Sequence, residues 1–120
     1  IDIMEIIGSE PDVLHGTIHF GQIWPNNSSS GQDYKLHSGI FNDKFHEFAI
    51  EWEEGEIRWF IDDYLYFVQR PGNVSPQRWP FDQDFHFLLN VAVGGNWPGQ
   101  PLKTLLKKVV STGNYLKELL

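Results

Sequence analysis

Two carboxylates, Asp2 and Glu5, stand three residues apart in the otherwise aliphatic opening run IDIMEIIG. Side chains of a regular strand alternate between faces, so residues three apart point to opposite sides. A β-bulge that absorbs one extra residue at Ile3 or Met4 would rotate Glu5 onto the face of Asp2, and bulges are over-represented beside active sites. Two carboxyls in one cleft repel, which raises the pKa of one of them and suits it to general-acid work near neutral pH. Glycoside hydrolysis needs such an acid, together with an ionised carboxylate about 5–5.5 Å away in a retaining enzyme. The same two charges also suit a solvated strand edge, and from spacing alone the two readings stay open.

The elements that would position this pair are short strands. The runs GTIHFGQIW, FHEFAIEWE, EIRWFID, YLYFVQ and DFHFLLNVAV are rich in β-branched and aromatic residues and are separated by turn residues. In HEFAIEW, Phe48, Ile50 and Trp52 fall on one face and Glu47, Ala49 and Glu51 on the other. The EEGE and DD turns tie three of these runs into an antiparallel meander. Asp63 is expected in a left-handed conformation, where a tight hairpin prefers Gly. GQIWPNNSSSGQDYKLHSG and QRPGNVSPQRWPFDQ, rich in Pro, Gly, Asn and Ser, read as ordered loops. Many short strands with no helical period before residue 100 predict an all-β fold, an antiparallel β-sandwich or jelly roll. The tail differs. Residues 103–120 carry four lysines against one glutamate in a chain of net charge −7, and Leu102, Leu105, Leu106, Val109 and Val110 follow a helical period.

Composition narrows the partners. At 120 residues with 41% hydrophobic content the chain builds one domain or part of one. Its negative charge disfavours nucleic acid and anionic membrane surfaces. No run of about 18 apolar residues is present to cross a bilayer. The absence of cysteine leaves the redox compartment open.

Other residues suit a neutral ligand, whose recognition rests on aromatic faces and short polar side chains. Trp24 in IWPNN is a loop aromatic, open to binding or packing. Trp52 and Trp59 alternate with the apolar face of the meander and are expected in the core, and Trp79 stays unassigned. Thr17 and His19 share a face of the strand expected beside the first, where His19 would bond substrate, Glu5 or backbone. Asn90 interrupts the apolar run FHFLLNVAV, and buried there its amide must find a partner on a neighbouring strand or a sugar. The remaining histidines show no metal-ligand spacing.

Taken in order and spacing, DIMEIIG, HGTIHFG, FHEFAIEWEEGEIRWFIDDYLYF and WPFDQDFHFLLNVAVGGNWPG closely resemble the second half of glycoside hydrolase family 16, the laminarinase-like endo-β-1,3-glucanases. The resemblance covers about residues 1–101 and implies half of a concanavalin-like jelly roll, a partial catalytic domain. The family signature is Glu-x-Asp-x-x-Glu on one bulged strand. Mapped onto it, Asp2 is the middle Asp and Glu5 the acid/base, while the nucleophile position falls one residue before Ile1. The resemblance therefore implies retaining hydrolysis of internal β-1,3 or mixed β-1,3/1,4 glucosidic bonds by a longer parent, this chain being inactive alone, or else a non-catalytic β-glucan-binding module. It also implies a substrate-facing Trp97, secretion and a monomer. No cofactor is implied beyond the family's structural calcium, which is built partly from terminal strands. Residues 102–120 depart from the family pattern and read as a divergent amphipathic helical tail.

Overall fold

In the computed structural model, residues 1–100 are described. They fall into two units, residues 1–86 and a second beginning at residue 87. The helical period of residues 102–120 lies outside the described residues.

The first unit is a sandwich of two three-stranded antiparallel sheets, as the alternating pattern predicts. β1 (Asp2–Glu5), β2 (Val13–Gly21) and β3 (Asn27–Lys35) form one in the order β1-β2-β3. β4 (Phe48–Glu53), β5 (Glu56–Ile61) and β6 (Tyr64–Gln69) form the other, the meander the short turns required. A 3-10 turn at Phe41–Asp43 and a one-turn helix α1 (Pro71–Val74) punctuate the connections.

β2 shows how the sheets meet. Leu14, Gly16 and Ile18 are buried, while His15 and Thr17 between them face outward. Ile18 joins Ile57, Trp59, Val74, Trp79 and Phe81 in one core cluster, and Leu14 joins Phe41 and Ile61 in another. Burying side chains of this size stabilises by about 1.5–3 kcal/mol each. Gly16 is required where the sheets approach: a Cβ there would lie 2.9 Å from Trp59 Cδ1 and collide with the Tyr66 hydroxyl. Burial pushes the Tyr66 phenol up, and the charge of Asp33 adds to the effect.

Four sequence expectations change. The segment read as the loop GQIWPNNSSSGQDYKLHSG contains β3, paired with β2 over nine consecutive residues from Val13↔Lys35 to Gly21↔Asn27. It is a strand without an apolar face because two of its inward positions meet amides: Gln69 Nε2 donates to Ser30 Oγ at 3.0 Å and Gln77 Nε2 to Ser28 Oγ at 3.1 Å. Secondly, DFHFLLNVAV joins no ladder among the described residues, and Phe87, Leu88, Leu89 and Val91 are all more than 80% exposed. A strand forms only where a neighbour accepts its hydrogen bonds. Thirdly, Trp59 is fully buried as expected, whereas Trp52 is 39% exposed, set edge-on to Phe85 with Nε1 donating to the Phe81 carbonyl at 2.8 Å. Trp79, unassigned from sequence, is core, its Nε1 donating to the Glu54 carbonyl. Lastly, Asp62 as well as Asp63 adopts positive φ, 46° and 65°. A two-residue hairpin of that form needs both.

Candidate active site

The bulge expected from the spacing of the carboxylates is present. Asp2 pairs with Thr17 and Glu5 with His15, so β1 advances three residues while β2 advances two. The extra residue brings Asp2 and Glu5 to the same outward face, the face that β2 presents through His15, Thr17 and His19. β3 completes the row: Asp33 stands opposite His15, Gly31 opposite Thr17 and Ser29 opposite His19. Gly31 leaves this face low at its centre, since a Cβ would lie 2.9 Å from both Thr17 Oγ1 and the Gly16 carbonyl.

From the opposite side the core braces β1. The indole Nε1 of buried Trp59 donates to the Asp2 carbonyl at 3.0 Å, tying the bulged strand to β5. This fixes the backbone of a residue whose side chain points away from the core.

The polar contacts on the outward face are specific. His19 Nε2 lies 3.0 Å from Asp2 Oδ2, a partner that the sequence reading, which considered substrate, Glu5 or backbone, did not name. Its other ring nitrogen, Nδ1, lies 3.4 Å from Asn27 Nδ2. An amide that donates to Nδ1 leaves the proton on Nε2, the nitrogen facing Asp2. His15 Nδ1 lies 2.7 Å from Asp33 Oδ1. Burial pushes the Glu5 carboxyl above the ordinary carboxylate range; the charge of Asp2 pushes the same way, and His19 and His15 pull it down. An upward shift is the direction that suits a carboxyl to general-acid work.

Of the other sequence candidates, Trp24 is 80% exposed in the loop joining β2 to β3, following which the Trp24–Pro25 bond is cis. Asn90 and Trp97 belong to the second unit. Asn90 is exposed, against the expectation of a buried amide. Trp97 is 57% exposed in a turn closed by two hydrogen bonds between Gly95 and Gly99, at 3.1 and 3.0 Å. Sequence reasoning passed over Asn27, His15 and Asp33. Asn27 and Asp33 lay in the segment taken for a loop, and His15 gains meaning only once β3 stands beside it. Among the described residues no group of three or more His, Cys, Asp or Glu is placed to hold a metal ion.

The model of glycosyl hydrolases family 16 matches residues 1–111. The chain belongs to that family. It is 42% identical over 105 residues to a β-glucanase of Rhodothermus marinus, covering 83% of this chain and 36% of the relative. It is 30% identical over 120 residues to a β-1,3-glucan-binding protein of Penaeus monodon, covering 79% and 33%. Among solved structures, the laminarinase catalytic domain of Thermotoga maritima superposes with a TM-score of 0.77 at 40% identity, covering 85% of this chain and 42% of that one. The family 16 chain described here thus spans 33–42% of the length of these relatives.

Proposed function

We propose that the family 16 domain to which this chain contributes hydrolyses internal β-1,3 or mixed β-1,3/1,4 glucosidic bonds with retention of configuration, and that Glu5 is its acid/base. The observation that carries the reading is the bulge that sets Asp2 and Glu5 on one face, together with the raised pKa that burial and Asp2 give Glu5. In the first step Glu5 gives its proton to the leaving glycosidic oxygen while a carboxylate at the position preceding Ile1 attacks the anomeric carbon. In the second, ionised Glu5 takes a proton from the water that displaces the glycosyl group, and its starting state is restored. Asp2, oriented by the Nε2 of His19 at 3.0 Å, stands beside Glu5 and adds to the upward push that burial gives its pKa. Trp24, 80% exposed in the loop joining β2 to β3, suits stacking on sugar, and secretion of the enzyme accords with a polysaccharide substrate.

The likeness to a β-1,3-glucan-binding protein supports a second reading, recognition without cleavage. The Glu5 environment favours the first, because a binding module gains nothing from a carboxyl pushed up in pKa. The test is reducing-sugar release from laminarin by an extended polypeptide, residues 1–120 preceded by the upstream part of the Thermotoga maritima catalytic domain. Release that is lost in Glu5→Gln supports hydrolysis; binding of laminarin with no release supports the recognition module.

A further inference from the structure

Glu5, His15 and Asp33 occupy one row across three strands, each opposite the next in register. Directly opposed residues on an antiparallel sheet hold their Cβ atoms about 4.5–5.5 Å apart, within reach of each other's side chains. The middle member is the constrained one: His15 is only 12% exposed, and its Nδ1 is anchored 2.7 Å from Asp33 Oδ1, whose own side chain is 66% exposed. Asp33 therefore acts as a tether at the sheet surface, fixing which ring nitrogen of His15 carries a proton and which way the imidazole turns.

We propose that His15, tethered by Asp33, is a positioning residue for the Glu5 carboxyl. The proposal deepens the acid/base reading of Glu5 and rests on it. The charged and titratable groups around His15 are Glu5 and Asp2 on β1, His19 on its own strand, Asp33 on β3 and, beneath Gly16, the Tyr66 hydroxyl. Asp2 and His19 are bonded to each other, and the Tyr66 phenol stays protonated because burial pushes it up. His15 thus faces Glu5 while its Nδ1 is held by a partner outside the carboxylate pair. A cationic or N–H-donating imidazole favours ionised Glu5 and restrains the upward push of burial and of Asp2. Without that restraint Glu5 would hold its proton to higher pH. The Asp33 tether acts through His15, which lies between Asp33 and Glu5 in the row and is bonded to Asp33 at 2.7 Å.

The experiment is a carbon-13 NMR titration of the Glu5 side-chain carboxyl in the full 120-residue chain, as native protein and as His15→Gln, Asp33→Asn and His37→Gln. His37 is an exposed loop histidine and controls for loss of an imidazole as such. The Glu5 midpoint is expected to move upward by about half a pH unit in His15→Gln, upward by less in Asp33→Asn, and not at all in His37→Gln. A midpoint unmoved or lowered in either of the first two variants overturns the proposal. Asp33→Asn changes a surface side chain and keeps the question answerable if His15→Gln does not fold. The titration is read without turnover, so a failure of the hydrolase reading in the laminarin assay and a failure of this proposal are separate results.

Discussion

At the residue scale the account turns on Glu5. Its pKa is raised above the ordinary carboxylate value of 4.5, first by burial and then by Asp2. A carboxyl that binds its proton more tightly folded than unfolded imposes a penalty on the folded state when ionised; that penalty is full above the folded pKa and vanishes below the unfolded one. Glu5→Gln is therefore expected to raise the urea midpoint at pH 7, the gain closing as pH falls toward 4.5. Equal midpoints at pH 7 would mean that Glu5 is not strained by its site. Asp62 provides the opposite sign. The Glu47 backbone N–H, donating at 2.9 Å, and His46, at 2.6 Å, hold its carboxyl below the usual range. Its contribution is present above the unfolded value of 3.8 and lost as pH falls through the lowered folded one. Asp62→Asn, which tolerates the left-handed backbone, is expected to lower the urea midpoint at pH 7 and to have little effect in acid. Asp2 and Glu5 could be read from spacing because a bulge is a local event within four residues. His15 and Asp33 could not, because they lie 18 residues apart and meet only through the β2–β3 ladder.

At the element scale, the bulged strand is held from behind by a core residue. Trp59→Phe removes the part-buried hydrogen bond from Nε1 to the Asp2 carbonyl, a cost of about 0.5–1.5 kcal/mol. Its effect on activity in the extended polypeptide is expected to fall on kcat, since the face that would receive sugar keeps its side chains. An unchanged kcat would show that β1 holds its register without the brace. Gly16→Val forces a branched side chain against Trp59 and Tyr66 and is expected to cost about 1–3 kcal/mol in urea unfolding. The meander of β4, β5 and β6 was legible because its alternation and two-residue turns are local signals. β3 was not, because Asn27–Lys35 has the composition of a loop and becomes a strand through nine paired positions on β2 and the amides that meet Ser28 and Ser30. DFHFLLNVAV shows the converse: its composition is that of a buried strand, but no ladder partner is present among the described residues to make it one.

At the scale of the whole molecule, the described residues build one packed sandwich from two three-stranded sheets and leave Phe87, Leu88, Leu89 and Val91 exposed. Contiguous exposed apolar surface drives association. The 120-residue chain alone is expected to precipitate irreversibly on heating, and the extended polypeptide to melt in one reversible transition. A reversible cooperative melt of the isolated chain would show that these side chains need no further cover. The sandwich class followed from the count and spacing of short strands. What sequence could not give is the height of the outward face, which depends on Gly31 lying beside Thr17.

The central claim, that Glu5 is the acid/base of a retaining glycosidase, is tested most directly by chemical rescue of Glu5→Ala in the extended polypeptide. An aryl β-glucoside of a laminarin oligosaccharide, with a leaving group that needs no protonation, lets the first step proceed without Glu5, and added azide replaces the water that Glu5 would activate. The account predicts restored turnover and a glycosyl azide of β configuration, identified by proton NMR. No rescue by azide, or a product of α configuration, would contradict it.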